Sequence, residues 1–190
     1  MKYFKHIIIF IFINFLTFSS FANEFVGIIG AGVGEVKNQN NQKLENGSKI
    51  FYGDTIIVGS KSTAQVLFLD QTVMTLGEDS ELTIDEFVYD PQTNDGKFVS
   101  NIKSGTIKII TGKISKKDPD NLEIKIPTGA IGARGTEFVV LANSKNENTV
   151  LLLGPGPNNS LGMTPGNLEV TDGVNSVNII QPDFETVVTN

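Results

Sequence analysis

The feature that most constrains this chain is the two-residue rhythm of its apolar positions, broken at short intervals by Gly, Asn, Asp and Pro. Past the N-terminal stretch no helix-length amphipathic period competes with it. Leu122, Ile124 and Ile126 alternate with Glu123 and Lys125, the pattern of a strand with one dry and one wet face. Ile107 and Ile109 alternate in the same way with Thr106 and Lys108, and Leu82 and Ile84 with Thr83 and Asp85. Ala64, Val66 and Phe68 share one face of their run while Leu67 and Leu69 fall on the other, which predicts a strand covered on both sides. Val150–Leu153 is a short apolar run, and Leu168–Val170 and Val177–Ile180 are weaker ones.

Turn signals separate these runs at Asn46-Gly47, Tyr52-Gly53-Asp54, Asp70-Gln71, Asn94-Asp95-Gly96 and Asp172-Gly173. The expectation is one all-β domain whose many short strands form a twisted sandwich or solenoid-like arrangement. Parity nominates Leu67, Phe68, Leu82, Ile84, Ile107, Ile109, Ile124, Ile126, Phe138 and Val140 for its core. Lys116–Asn121 reads as a polar connector. Gly154–Gly166, with four glycines and three prolines, reads as a long mobile loop.

The N-terminus follows different rules. Lys2 and Lys5 precede the almost wholly apolar Ile7–Phe18, and Ser20-Phe21-Ala22 supplies the small-x-small end of a secretory signal. The apolar core is shorter than the roughly 20 residues a spanning helix needs. Cleavage after Ala22 is expected, leaving residues 23–190 as a periplasmic or secreted protein with no stable membrane insertion. The chain has no cysteine, so it lacks both the lipidation site of a lipoprotein and disulfide staples. With Lys2 and Lys5 gone, 13 basic residues would face 21 acidic ones, a formal charge of −8. That surface repels phosphate backbones and argues against nucleic acid as a partner.

The inventory of reactive side chains is thin. The single histidine, His6, lies in the leader, which removes histidine triads, cysteine nucleophiles and imidazole or thiolate metal sites. Carboxylate chemistry survives, but the chain has no tryptophan to build a sugar platform. No catalytic residue, metal ligand or cofactor is assigned. Two local patterns imitate sites. Gly30 and Gly32 begin a dinucleotide-type fingerprint, yet Glu35 takes the third glycine's place and no helix pattern follows, so a glycine-rich first strand is expected. Asp90–Gly96 spaces its oxygens like a calcium loop, but Asp95 and Asn101 stand where such a loop needs Gly and Glu. A hairpin turn at Asn94-Asp95-Gly96 is expected there.

The most distinctive phrase surrounds the only arginine. Ile126–Val140 places Arg134 between Gly132 and Gly135, ahead of the strand-like run beginning Thr136-Glu137-Phe138. The two glycines suggest a tight bend that fixes Arg134 in place. Its guanidinium is then expected to satisfy carbonyls or a carboxylate at the bend, a structural role for the whole motif, with contact to a ligand or partner as the alternative. The "x-R-G-T-E-F-x-V" wording resembles the FecR-like domain, an all-β module of bacterial envelope proteins. Other phrases agree in order and spacing, so that the match is strongest over 44–140: Leu44-Glu-Asn-Gly-Ser48, Ile50-Phe-Tyr-Gly-Asp-Thr-Ile-Ile57, Val58-Gly-Ser-Lys-Ser-Thr-Ala64, Val66-Leu-Phe-Leu-Asp-Gln-Thr72 (Gln71 standing where glycine is usual), Leu76-Gly-Glu-Asp-Ser-Glu-Leu82 and Ile102-Lys-Ser-Gly-Thr106. Past Thr149 the resemblance thins.

The resemblance implies a domain on the periplasmic side of a membrane, in a regulator that senses an outer-membrane receptor and controls a sigma factor. Nothing precedes the apolar stretch here that would reach a sigma factor. What carries over is therefore the fold and a protein-binding habit. The expected function is a non-enzymatic envelope interaction module whose partner is an envelope or cell-surface protein, with self-association as a further possibility. A calcium-dependent surface adhesin and a carboxylate-based carbohydrate-active enzyme are the alternatives.

Overall fold

A computed structural model describes residues 24–143, 147–154 and 166–189. The expected leader Met1–Ala22 with its cleavage point, and all of the Gly154–Gly166 segment except its two end glycines, lie outside the described residues.

Among the described residues, fifteen strands form one continuous hydrogen-bonded network. They are β1 (Phe25–Val33), β2 (Val36–Asn38), β3 (Lys49–Phe51), β4 (Thr55–Val58), β5 (Thr63–Phe68), β6 (Val73–Leu76), β7 (Glu81–Tyr89) and β8 (Gly96–Ile110). After a short helix α1 (Lys113–Lys117) and a 3-10 turn (Pro119–Asn121) come β9 (Leu122–Ile126), β10 (Gly129–Arg134), β11 (Glu137–Ala142), β12 (Glu147–Leu152), β13 (Asn167–Thr171), β14 (Ser176–Ile179) and β15 (Glu185–Thr189). The pairings resolve into two layers. One runs β3-β1-β5-β6-β8-β11-β12-β15 and the other β2-β4-β7-β8-β9-β10-β13-β14.

Both layers contain β8, because this long strand changes sheets along its length. Its first part pairs with β7 and β9, and its last part with β6 and β11. Gly105, at φ +90°, sits at the change, and a Cβ there would lie 2.5 Å from the Ser80 Cα. Only glycine fits that crossing without displacing backbone. The remaining chain repeatedly steps from one layer to the other, so the all-β expectation takes the form of an unclosed two-layer sandwich.

The inner faces meet through aromatic side chains. Phe68 of one layer lies 4.7 Å from Phe98 and 5.9 Å from Phe87 of the other, measured between ring centres, and Phe87 meets Phe98 edge-on at 5.1 Å. Such pairs add about 0.5–1.5 kcal/mol each beyond the area they bury. Phe68, Leu82, Ile84, Ile107, Ile109, Ile124, Ile126, Phe138 and Val140 are buried as parity predicted.

Leu67 is not. It is only half-buried and Leu69 is exposed, so β5 is covered on one face, not two. The outer face of β5 is open to solvent, and Leu67 finds partial shelter by lying across Gly30 of β1, where a Cβ would come 2.7 Å from its Cγ. That packing also accounts for the glycine-rich first strand. Phe87 escaped the parity argument because β7 carries a register shift between Ile84 and Glu86, which returns Phe87 to the inner face three residues after Ile84.

The expected polar connector Lys116–Asn121 links β8 to β9 and takes helical form. Its start belongs to α1, anchored by buried Ile114, and its end is the 3-10 turn. One apolar anchor in five residues leaves no period to detect.

Each of the turn signals holds a residue in the left-handed region: Gly47, Gly53, Gln71, Asn94 and Gly173. The Asp90–Gly96 segment is the connection of the β7–β8 hairpin. The Asp90 N–H donates to the Asp95 carbonyl, and the Asp90 carboxylate accepts the Gln92 N–H.

Candidate interaction surface

The arginine phrase turns out to be a corner between layers. β10 ends at Arg134 in one sheet and β11 begins at Glu137 in the other. Gly135 takes φ +54° at the corner. Gly132 does not bend: it lies inside β10 between Glu123 and Glu169 on the flanking strands, with open space where a Cβ would be. The expected two-glycine bend is a one-glycine bend.

Serine and threonine hydroxyls brace that corner. Ser115 Oγ of α1 donates to the Ala133 carbonyl and accepts the Gly135 N–H at 3.3 Å. Thr111 Oγ1 accepts the Thr136 N–H at 2.8 Å, and the Thr111 N–H and hydroxyl both donate to the Thr136 carbonyl. Thr136 is buried, and Gly154 and Gly166 close on its side chain, a Cβ at either falling within 2.3 Å of Oγ1. Glu137 pairs with Lys108 on the outer face, while Phe138 enters the core. Arg134 is exposed, and among the described residues its guanidinium has no hydrogen bond or ion pair. Backbone groups at the corner are thus satisfied by Ser115 and Thr111, which composition and spacing did not single out.

Other phrases of the resemblance also fall at turns and lock them. The Asp54 carboxylate accepts the Phe51 N–H at 2.9 Å. Asp70 is fully buried between β5 and β6 and accepts both the N–H and the hydroxyl of Thr72, whose Oγ1 in turn accepts the Gly112 N–H. Burial pushes its carboxyl above the usual aspartate value, against the pull of the Thr72 bonds. Gln71, beside it, has φ +71°, which explains a preference for glycine at that place.

The last two strands are built differently. β14 and β15 are the last strands of their layers, each with one edge unpaired among the described strands, and a slot lined by Val170, Val177, Thr186 and Val188 separates them. Pairing fixes the directions of the side chains. Leu168 faces Ile179 and Val170 faces Val177, so Val177 points inward on the same face as buried Ile179. Yet Val177 is 50% exposed. Ile180 and Phe184 line a cleft with Val177, Val174 stands on the adjoining turn, and exposed Val187 lies on the opposite face of β15 from buried Val188. Among the described residues, five of the eleven large exposed apolar side chains lie between positions 174 and 187.

Acidic residues accompany them in the sequence. No lysine or arginine follows Lys145 in the sequence, whereas Glu147, Glu169, Asp172, Asp183 and Glu185 do. Asp172 is engaged by its own turn. Its carboxylate accepts the Val174 and Asn175 N–H groups, and these bonds, those of Asn175 foremost, hold it down at about 2. β15 is tied to the other layer by a buried relay: Asn148 Nδ2 donates to Thr128 Oγ1 at 2.7 Å, and Thr128 donates to the Val188 carbonyl at 3.0 Å.

Among the described residues no group of three or more His, Cys, Asp or Glu is placed to hold a metal ion, and no helix is long and apolar enough to cross a membrane. A two-layer, unclosed all-β scaffold with locked turns defines the class of fold. The FecR protein family matches residues 54–154, more than half of the chain, and the chain belongs to that family. Among curated proteins none matches it. The family segment runs from the start of β4 to just past β12, so β13, β14 and β15 lie beyond it.

Proposed function

We propose that this chain is a non-enzymatic interaction module of the cell envelope, exported through the leader Met1–Ala22 and acting as a periplasmic or secreted protein on another envelope or surface protein. The observation that carries this reading is the open pair of edges β14 and β15 with inward-directed Val177 left uncovered. Unpaired edges recruit extended segments by adding a strand, where main-chain hydrogen bonds give affinity and alternate side chains give selectivity. Membership of the FecR family supports an envelope setting.

The disposition of the carboxylates supports the non-enzymatic half of the reading. Asp54, Asp70, Asp90, Asp118 and Asp172 accept backbone N–H groups of their own turns. Glu35, Glu45, Glu81, Asp85, Glu86, Asp95 and Glu137 pair with lysines. Groups so engaged are poorly placed for the convergent acid and base that hydrolysis requires.

Crosslinking in intact cells followed by mass spectrometry tests the proposal, together with the intact mass of the envelope form. An envelope protein joined to a product beginning at Asn23 is expected. Glycan turnover that depends on one particular Asp or Glu, with no crosslinked protein, would replace it with the hydrolase reading. A large calcium-dependent rise in melting temperature would favour the adhesin.

A further inference from the structure

We propose that the seam between β14 and β15 receives an extended segment of another polypeptide that is apolar at every second position and basic between. The inference rests on the reading that this chain binds proteins, and adds the place and the chemistry of the partner.

The apolar half of the requirement follows from register. Val177 occupies an inward position of β14, opposite Val170 and two residues before Ile179, and the neighbouring inward residues are buried. Val177 is left half in solvent because, among the described residues, the layer ends at β14 and no strand lies beyond it to close over this side chain. A strand laid along the free edge of β14 places its own inward side chains over Val177 and into the slot with Thr186 and Val188. The adjoining cleft, lined by Val177, Ile179, Ile180 and Phe184, lengthens the same apolar track past the end of β14.

The basic half follows from the outer face of the same strands. Across that layer, Glu123, Gly132, Glu169 and Asn178 form one row on β9, β10, β13 and β14. Gly132 leaves Glu169 without a side-chain neighbour on one side, and Asn178 is uncharged on the other. An added strand continues the row next to Asn178, where a long lysine or arginine reaches back toward Glu169. Glu185 and Asp183 follow β14 in the chain, and although Arg134 lies diagonally across from Glu169, none of these three carboxylates forms an ion pair with a lysine or arginine among the described residues. Opposite charges on facing strands stabilise a pair and like charges oppose it. A second copy of this chain would set the same acidic edge against itself, so charge favours a different, basic partner.

The test uses the mature full-length chain and three short fluorescent peptides: alternating valine and lysine, the same composition in two blocks, and alternating valine and glutamate. Fluorescence anisotropy is expected to show the alternating valine–lysine peptide binding at least about tenfold more tightly than either control, with affinity falling as salt rises. Hydrogen exchange should slow at Ser176–Ile179 in the complex. Val177→Lys and Glu169→Lys, both on the surface, should each weaken binding about fivefold or more, while Val33→Lys on β1 should change it less than about twofold. Equal binding of the block peptide, or indifference to both seam variants, would overturn the proposal. So would sedimentation as a dimer that Val177→Lys dissolves, because the seam would then belong to a second copy. In cells, crosslinks to an envelope protein that survive Val177→Lys would remove the seam while leaving the interaction reading standing. Loss of every protein crosslink in the wild type would remove both.

Discussion

The free edges formed early in the chain and those formed late are finished in opposite ways. β2 and β3 span three residues each, and charge crowds them: Lys37 pairs with Glu35, Lys43 with Glu45, and the Lys49 ammonium lies 5.7 Å from the centre of the Phe25 ring. Next to β3, β1 shifts register twice. Shortness, lysines and bulges are the devices by which sheet proteins discourage pairing at an edge. β14 and β15 carry none of those lysines and expose Val177 and Val187 instead. The protected edges end a sheet, whereas the unprotected pair is where the proposed partner would add its strand.

The sharpest way to break this comparison is to truncate inward side chains at both kinds of place. Phe98 and Val177 both point toward the space between layers, but Phe98 is fully buried against Phe68 and Phe87. Phe98→Ala should destabilise by about 3–5 kcal/mol. Val177→Ala should cost no more than about 0.5 kcal/mol, the usual scale for an exposed site. Denaturant midpoints decide it, and a large loss at Val177 would mean that the seam is closed in solution.

Next in size is the relay that ties β15 to the other layer. Asn148→Ala removes a buried donor to Thr128 and should lower stability by about 1–3 kcal/mol. Faster hydrogen exchange at Val188 than in β5 would identify β15 as the part released. Unchanged exchange would show that β15 is held by its pairing with β12 alone.

At the arginine corner the expected effects are smaller and unequal. Ser115→Ala unpairs the Ala133 carbonyl and the Gly135 N–H and should cost about 1–2 kcal/mol. Arg134→Ala should stay within about 0.5 kcal/mol, as befits an exposed side chain. The reverse order in thermal or denaturant unfolding would restore the guanidinium as the brace of the bend.

The smallest effect sets two turn aspartates against each other. Asp70 is raised by burial, so the stability it contributes is complete below the usual aspartate range and is lost as pH rises through its raised value. Asp172 is lowered to about 2, so its contribution is present above the usual range and disappears as pH falls toward that value. In unfolding midpoints followed from about pH 5 down to about pH 2, the advantage of the wild type over Asp70→Asn should grow, and its advantage over Asp172→Asn should shrink. Parallel curves would mean that neither turn discriminates the charge of its aspartate.

Period-two alternation in the sequence already determined the all-β class, nine of the ten proposed core residues and the positions of the turns, because side-chain direction along a strand depends only on parity, and left-handed turns select Gly and Asn locally. The ordered phrases from Ile50 to Phe138 likewise carried the family. Tertiary structure decided the rest. Leu67 has the parity and hydrophobicity of a doubly covered strand, but coverage depends on what packs above the sheet, and nothing in its own neighbourhood encodes that. Phe87 joins the core through a register shift, which cancels parity at that point. Arg134 stands in the most distinctive phrase, yet the corner is held by Ser115 and Thr111, brought there from another part of the chain. Val177 is apolar and points inward, as in a core strand, and it is exposed only because β14 ends its layer. Alternation reports which way a side chain points, while burial depends on which strand comes next in the sheet, a nonlocal fact that only the assembled fold settles.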